Sequence, residues 1–237
     1  MKKFRTTAVL TVVYIALAGC ASRDKSGTLT DDQNNAKTRL ESQMKDAAQT
    51  KQTYHAMDTS ALLSKLMEQS KAQREPFNSL AYRELKGRSD VDSKSLVALV
   101  RDNGNGGGLL PLLLLRQLDN KSYLQVPVEL RAKILTDSLQ SSKYFNVWGL
   151  PNFYLEDASH AMIEAGKSAT PALKRMLSDT RPAPVFGSQE YMIYKQYNYR
   201  LCDYALFFLE KIRDNANFRM PVSVADRDSL IKQMAAE

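Results

Sequence analysis

This 237-residue sequence predicts an all-α protein, on three observations. Past residue 20, apolar residues recur at three- and four-residue spacing in one segment after another. Helix punctuation frames those segments, with Asp, Ser or Thr ahead of them, Pro in their first turns and Gly behind them. No polar–apolar alternation runs long enough for a useful strand, and 10 Gly with 8 Pro fall short of a turn-rich all-β composition. A hydrophobic share of 43% with 25% charged residues excludes wholesale disorder and suffices for a buried core.

The chain opens on a segment that is not part of that body. Residues 1–20 read MKKFRTTAVLTVVYIALAGC. Lys2, Lys3 and Arg5 precede an apolar run from Ala8 to Ala18 that is too short to span a bilayer and has the length of a signal-peptide core. The run ends in Leu17-Ala18-Gly19-Cys20, which resembles the lipobox of bacterial lipoproteins. The resemblance implies that the Cys20 thiol takes up a diacylglyceryl group, that the chain is cut between Gly19 and Cys20, and that the new amine is acylated. A thiolate is the nucleophile such a step needs, and several acyl chains on one residue anchor durably where one does not. Ala21 in place of Asp implies, by the lipoprotein sorting rule, the outer membrane, with the body facing the periplasm. Without residues 1–19 the formal charge falls from +7 to +4, too little for a nucleic-acid footprint. Cys202 is then the only free thiol, and disulfide scaffolds and cysteine-rich zinc sites are excluded.

Residues 21–35 are polar and predict a flexible tether. From Ala36 to Met57, Leu40, Met44 and Ala47/Ala48 keep helical spacing on a narrow stripe, a weak helix that ends the region 20–57. The helical domain, 58–237, begins with Asp58 or Thr59 capping a helix that carries Leu62, Leu63, Leu66 and Met67. Pro76 starts a second, with Phe77, Leu80, Ala81 and Leu85, and Gly87 stops it. Asp92 or Ser93 opens a third, with Leu96, Val97, Leu99 and Val100. The Asn103–Gly108 segment is a turn, and Leu109–Leu118 is apolar nearly all round, hence buried. Further helices are expected over Val128–Leu139, Phe153–Ala165, from Thr170 and Pro171 through Leu177, over Tyr199–Ile212, and over Ala225–Met234. Between Asp179 and Asn198 lies a long insert with Pro182 and Pro184.

The helices fall in pairs with a period of about 25–46 residues, within the range of helical solenoids. The stretch Glu164–Asp179 (EAGKSATPALKRMLSD) and the following Tyr199-Arg200-Leu201-Cys202-Asp203 resemble a HEAT repeat and the opening of the next one. That resemblance implies a HEAT-like α-solenoid of paired antiparallel helices, with Asp179 and Arg200 stacked as an inter-repeat ladder. The insert is far longer than a HEAT turn, and the match weakens outside residues 153–212.

Chemistry-bearing motifs are scarce. Gly166-Lys167-Ser168 has the tail of a phosphate-binding loop, but position 161 is Ala where that loop needs Gly, so Gly166 reads as a helix C-cap and no nucleotide is expected. Gly104–Gly108 lacks dinucleotide-binding spacing, and no cofactor or metal is expected. Glu156, Asp157 and His160 could share a helix face, which leaves an alternative reading as an envelope, peptidoglycan-related hydrolase or transferase. With two His in the chain and no Gly-x-Ser-x-Gly elbow, the non-enzymatic reading leads. The insert is the most unusual surface. Arg181, Phe186, Tyr191, Tyr194 and Tyr197 combine area with polar handles, the composition of interface anchors. The sequence therefore predicts a lipid-anchored scaffold that binds a protein partner in the cell envelope through this insert.

Overall fold

A computed structural model describes residues 31–237 apart from 73–76, 78, 103–106 and 216. The lipobox Leu17–Cys20, tether residues 21–30, Pro76 and most of the Asn103–Gly108 turn lie outside the described residues. The chain divides after Ala56 into two units. In the first, α1 (Asp31–Ala56) starts five residues ahead of the expected weak helix and takes in the end of the expected tether. Its described side chains are exposed apart from half-buried Leu40 and Tyr54. Local pairs support a helix with no core of its own. The Thr38, Thr50 and Thr53 hydroxyls donate to carbonyls four residues back, and Lys37 lies 3.9 Å from Glu41.

The second unit is all-α, as predicted. α2 (Thr59–Ala72) is capped by the Asp58 carboxylate, which accepts from the Ala61 N–H at 2.7 Å. α3 (Leu80–Lys86) is capped by Ser79, and Gly87 ends it. α4 (Ser93–Asp102) is capped by Asp92, which accepts from the Lys94 and Ser95 N–H groups. α5 (Leu109–Leu118) buries Leu110 through Leu115, Pro111 included, and meets α3 and α4. α6 (Asn120–Gln125), absent from the expected elements, is capped by Asp119. α7 (Val128–Ser141) buries Ile134, Leu135 and Leu139 as its spacing requires.

The second half departs further from expectation. A 3-10 turn over Asn146–Trp148 leads into a two-stranded antiparallel hairpin, β1 (Gly149–Leu150) with β2 (Tyr154–Leu155). α8 (Asp157–Ala165) therefore starts four residues after Phe153, because Tyr154 and Leu155 are paired with β1. Gly166, at φ +58°, caps α8 as expected. A second 3-10 turn (Gly166–Ala169) feeds α9 (Thr170–Met176), which has Pro171 in its first turn.

The insert is not a loop throughout, because it holds α10 (Ser188–Tyr197). α11 (Leu201–Ile212) buries every residue from Leu201 to Leu209 and packs against α8, α9 and α12 (Val224–Ala236). The expected Asp179–Arg200 ladder does not form. Arg181, two residues from Asp179, takes its carboxylate, and Arg200 pairs with Asp203 and Asp228. Among the described residues no helix is long and apolar enough to cross a membrane.

Candidate partner-contact face

Three segments build the face: an extended strap at 179–187, helix α10, and the return into α11. The strap is stapled to the body by its backbone. The Ala183 N–H donates to the Tyr199 carbonyl at 2.9 Å, Leu201 to Arg181 at 2.9 Å, Cys202 to Asp179 at 2.8 Å, and Phe145 to Pro184 at 2.9 Å. Its Ala183 and Val185 are buried. Asn146 completes the staple, accepting from the Phe186 N–H at 3.0 Å and donating to the Phe186 carbonyl at 2.7 Å. The strap turns into α10 at Gly187, whose φ of +109° favours glycine, and leaves it at Asn198 in the left-handed region.

α10 buries none of its residues. Tyr194 and Tyr197 are half-buried, whereas Tyr191 is 46% and Met192 69% exposed. Tyr191 stacks on Tyr194 at 6.3 Å, and the Lys195 ammonium lies 5.3 Å from the Tyr191 ring. Tyr197 stacks on buried Tyr199 at 5.0 Å, and exposed Phe153 meets Tyr197 edge-on at 5.5 Å. The hydroxyls of Tyr199 and Tyr204 donate to the carbonyls of Pro151 and Gly149, at 2.9 and 2.7 Å. Burial raises both hydroxyl pKa values far out of the working range, so these two tyrosines are uncharged struts.

The structure thus gathers Tyr191, Tyr194 and Tyr197 on one helix, with Phe186 at its entry. Phe186 is 37% exposed and packs edge-on to Tyr144. Arg181 stands apart. Its guanidinium grips both Asp179 oxygens and donates to the Gln140 carbonyl at 3.0 Å, and the Arg181 side-chain hydrogen bonds hold the Asp179 carboxyl below its usual range.

Sequence reasoning missed Arg227 and Phe153. Arg227 is fully buried in α12. It donates to the carbonyls of Pro221, Val222 and Tyr197, and its Nε lies 3.1 Å from buried Asp203. One side chain thereby ties the last turn of α10 to α11 and α12. Asn152, at φ +74°, adds a pair of 2.8 Å bonds with the Met220 backbone. No local pattern marks Arg227. For Phe153, the only signal was the aromatic run around Trp148.

The carboxylates near His160 form a different arrangement. Glu156 precedes α8 rather than sharing its face, and both Glu156 and His160 are exposed. Arg116 binds Glu164 through two nitrogens, at 3.0 and 2.5 Å, and approaches Asp157 at 3.7 Å. Gln117 donates to Asp157, and Lys86 lies 4.0 Å from it. Partial burial, then the Asp157 charge, raises the Glu156 carboxyl, whereas the Arg116 hydrogen bonds lower Glu164. Among the described residues no three His, Cys, Asp or Glu side chains converge as metal ligands. An open, polar groove of about 290 Å³ lies elsewhere, between α7 and α9, with the Lys133–Asp137 ion pair on its wall. Comparison with protein-family models, curated proteins and solved structures finds no match to this chain.

Proposed function

We propose that this chain is a lipid-anchored lipoprotein of the bacterial cell envelope, held in the outer membrane through Cys20 and facing the periplasm, and that it acts as a non-enzymatic protein-interaction scaffold. One observation carries the contact surface: exposed Tyr191 and Met192 stand on a helix whose base is stapled at both ends. Apolar side chains that add nothing to the core, on a fixed platform, are what a docking face requires. Phe186, Tyr194 and Tyr197 extend that face, while Arg181 secures its base. The non-enzymatic reading draws on the ion pairing of the carboxylates near His160. A HEAT-like arrangement is supported by α8 and α9 joined through a four-residue turn, with α11 packed on both.

Two experiments test the proposal. A Cys20→Ser chain should lose radiolabelled fatty-acid incorporation and membrane retention, and unchanged labelling refutes the anchor. Tyr191→Ala with Tyr194→Ala should abolish co-purification of bound protein while leaving the far-UV circular dichroism unchanged, and retained binding refutes the contact face.

A further inference from the structure

We propose that the junction of α6 and α7 holds a binding site for a small carboxylate, with the Arg131 guanidinium as its cationic fork and the Tyr123 hydroxyl as a second donor. The site uses none of the residues of the α10 face and stands without that reading.

Among the described residues Arg131 and Arg227 are the buried arginines, and their surroundings differ. Arg227 has three carbonyls and the buried Asp203 carboxylate. Arg131, 7% exposed, gives only its Nε, to the Val126 carbonyl at 3.1 Å. Among the described residues it forms no ion pair, and its two terminal nitrogens meet no protein acceptor. Even arginines that are only partly buried have a carboxylate: Arg116 holds Glu164, and Arg200 holds Asp203. Arg131 is fixed in place by Tyr123, whose ring centroid lies 4.6 Å from the guanidinium. Tyr123 is fully buried, and its hydroxyl also has no hydrogen-bond partner. Burial raises the Tyr123 pKa, and Arg131 pulls against that rise without reaching hydrogen-bond geometry, so the hydroxyl stays a protonated donor.

An unpartnered guanidinium beside an unpartnered hydroxyl, both largely out of water, is a cost that one ligand relieves. A carboxylate fits the pair. Its two oxygens accept from the two terminal nitrogens in parallel, and a remaining lone pair takes the Tyr123 O–H. The charge balance selects the same ligand. The charged groups acting on the Tyr123 hydroxyl are Arg131, Glu164 and Arg116, two cations against one anion. Arg116 already holds Glu164 through two nitrogens, which leaves Arg131 uncompensated. A monoanion balances it, whereas the second charge of a phosphate dianion is left facing Glu164. The Tyr123 oxygen is sealed and Arg131 keeps accessible surface, so the ligand enters on the Arg131 side and meets the fork first.

The test is thermal unfolding of the full chain at pH 7 in sodium acetate and in sodium chloride of equal ionic strength, with the Arg131 Nε–H signal followed by NMR. Acetate should move that signal saturably, and at tenfold excess over Kd should raise Tm by about 3–5 °C over chloride. Arg131→Met keeps the length and the apolar stem, and should abolish the difference between the two salts. Tyr123→Phe deletes an unpartnered hydroxyl, so it should leave Tm in chloride unchanged or higher and weaken acetate binding about fivefold. An Arg131 signal that acetate does not move saturably overturns the site, whether or not Arg131→Met folds. Tyr123→Phe with wild-type acetate affinity overturns the part given to the hydroxyl. A loss of stability for Tyr123→Phe in chloride shows a hydroxyl satisfied within the protein, and overturns that part too. Phosphate that binds as tightly as acetate overturns the choice of a monoanion.

Discussion

Arg227→Ala should destabilise the helical body by about 3 kcal/mol. Arg227 has no exposed surface and gives hydrogen bonds of 2.9, 2.7 and 2.7 Å to the carbonyls of Pro221, Val222 and Tyr197. Its Nε is one of two cationic groups on Asp203, which is equally buried. Removing one partner of a buried ion pair costs roughly 3–5 kcal/mol. Arg200 stays on Asp203 at 2.9 Å, which places the loss at the lower end. At about 2–4 °C per kcal/mol for a body of this size, Tm should fall by about 6–12 °C. Arg227→Lys keeps the charge but not the planar fork that reaches three carbonyls, and should recover about half of the loss. Urea unfolding of the full chain, followed by circular dichroism, measures the stability. Hydrogen exchange over residues 188–197 measures the second consequence, faster opening of α10 once its last turn loses the bond at Tyr197. A loss below about 1 kcal/mol, or unchanged exchange in α10, would refute the assignment of Arg227 as the tie between these helices.

Three further outcomes are expected. Gly149→Ala should cost about 2–3 kcal/mol, read as a lower urea midpoint, because φ is +76° and a β-carbon there would lie 2.5 Å from the Tyr154 carbonyl oxygen; a wild-type midpoint contradicts the hairpin geometry. The Ser122 hydroxyl, then Ser93 and the Ser122 N–H, hold the Asp119 carboxyl at about 2, below its ordinary 3.8. Its folded value is the lower one, so its contribution to stability is present above pH 3.8 and fades as the pH falls towards 2. In an NMR titration, Ser122→Ala should move Asp119 up towards 3.8, and no movement refutes the cap. Burial pushes the Cys202 thiol up to about 11, so in a Cys20→Ser chain at pH 8 a thiol reagent should react only after denaturation; rapid reaction of the native chain contradicts its burial.

Elements with a core-facing pattern were legible in the sequence, and those held by distant partners were not. The leucines of α5 and the apolar run of α11 announce buried helices, because burial on nearly every side leaves few polar residues. The Asp92 cap and the Gly87 and Gly166 stops act within a turn of their helices and were readable for that reason. α6 is six residues long, too short for periodicity to speak, although Asp119 three residues before Ser122 carried the cap signal. The hairpin escaped because its strands are two residues each and its shape comes from Gly149 and Asn152 at positive φ. α10 escaped because no core defines a face for it. Its tyrosines were identifiable from composition, but the division of labour among them was not. Stacking on buried Tyr199 restrains Tyr197 and leaves Tyr191 outward. The Asp179–Arg200 ladder failed for a local reason, since a guanidinium two residues away outcompetes one twenty-one residues on. Nothing local in the sequence distinguishes Arg227 from the other charges of the last helix, and only the convergence of three chain segments makes it a buried clamp.

The staple beneath α10 also bears on how this chain can change over generations. Ala183 and Tyr199 are hydrogen-bonded neighbours, so the backbone leaves the body and comes back at nearly the same point. The outward positions between them, Tyr191 and Met192 among them, are therefore a graft that the buried core does not register, whereas Val185 and Tyr197 stay tied to the body. Substitution at the exposed positions of α10 then comes at little expense to folding, and it is there that the proposed contact face is free to vary. The strap residues Ala183 and Val185, sealed against the core, have no such freedom. The proposed contact surface and the residues that secure the fold are thus written in adjacent but separable positions, and selection can act on one without disturbing the other.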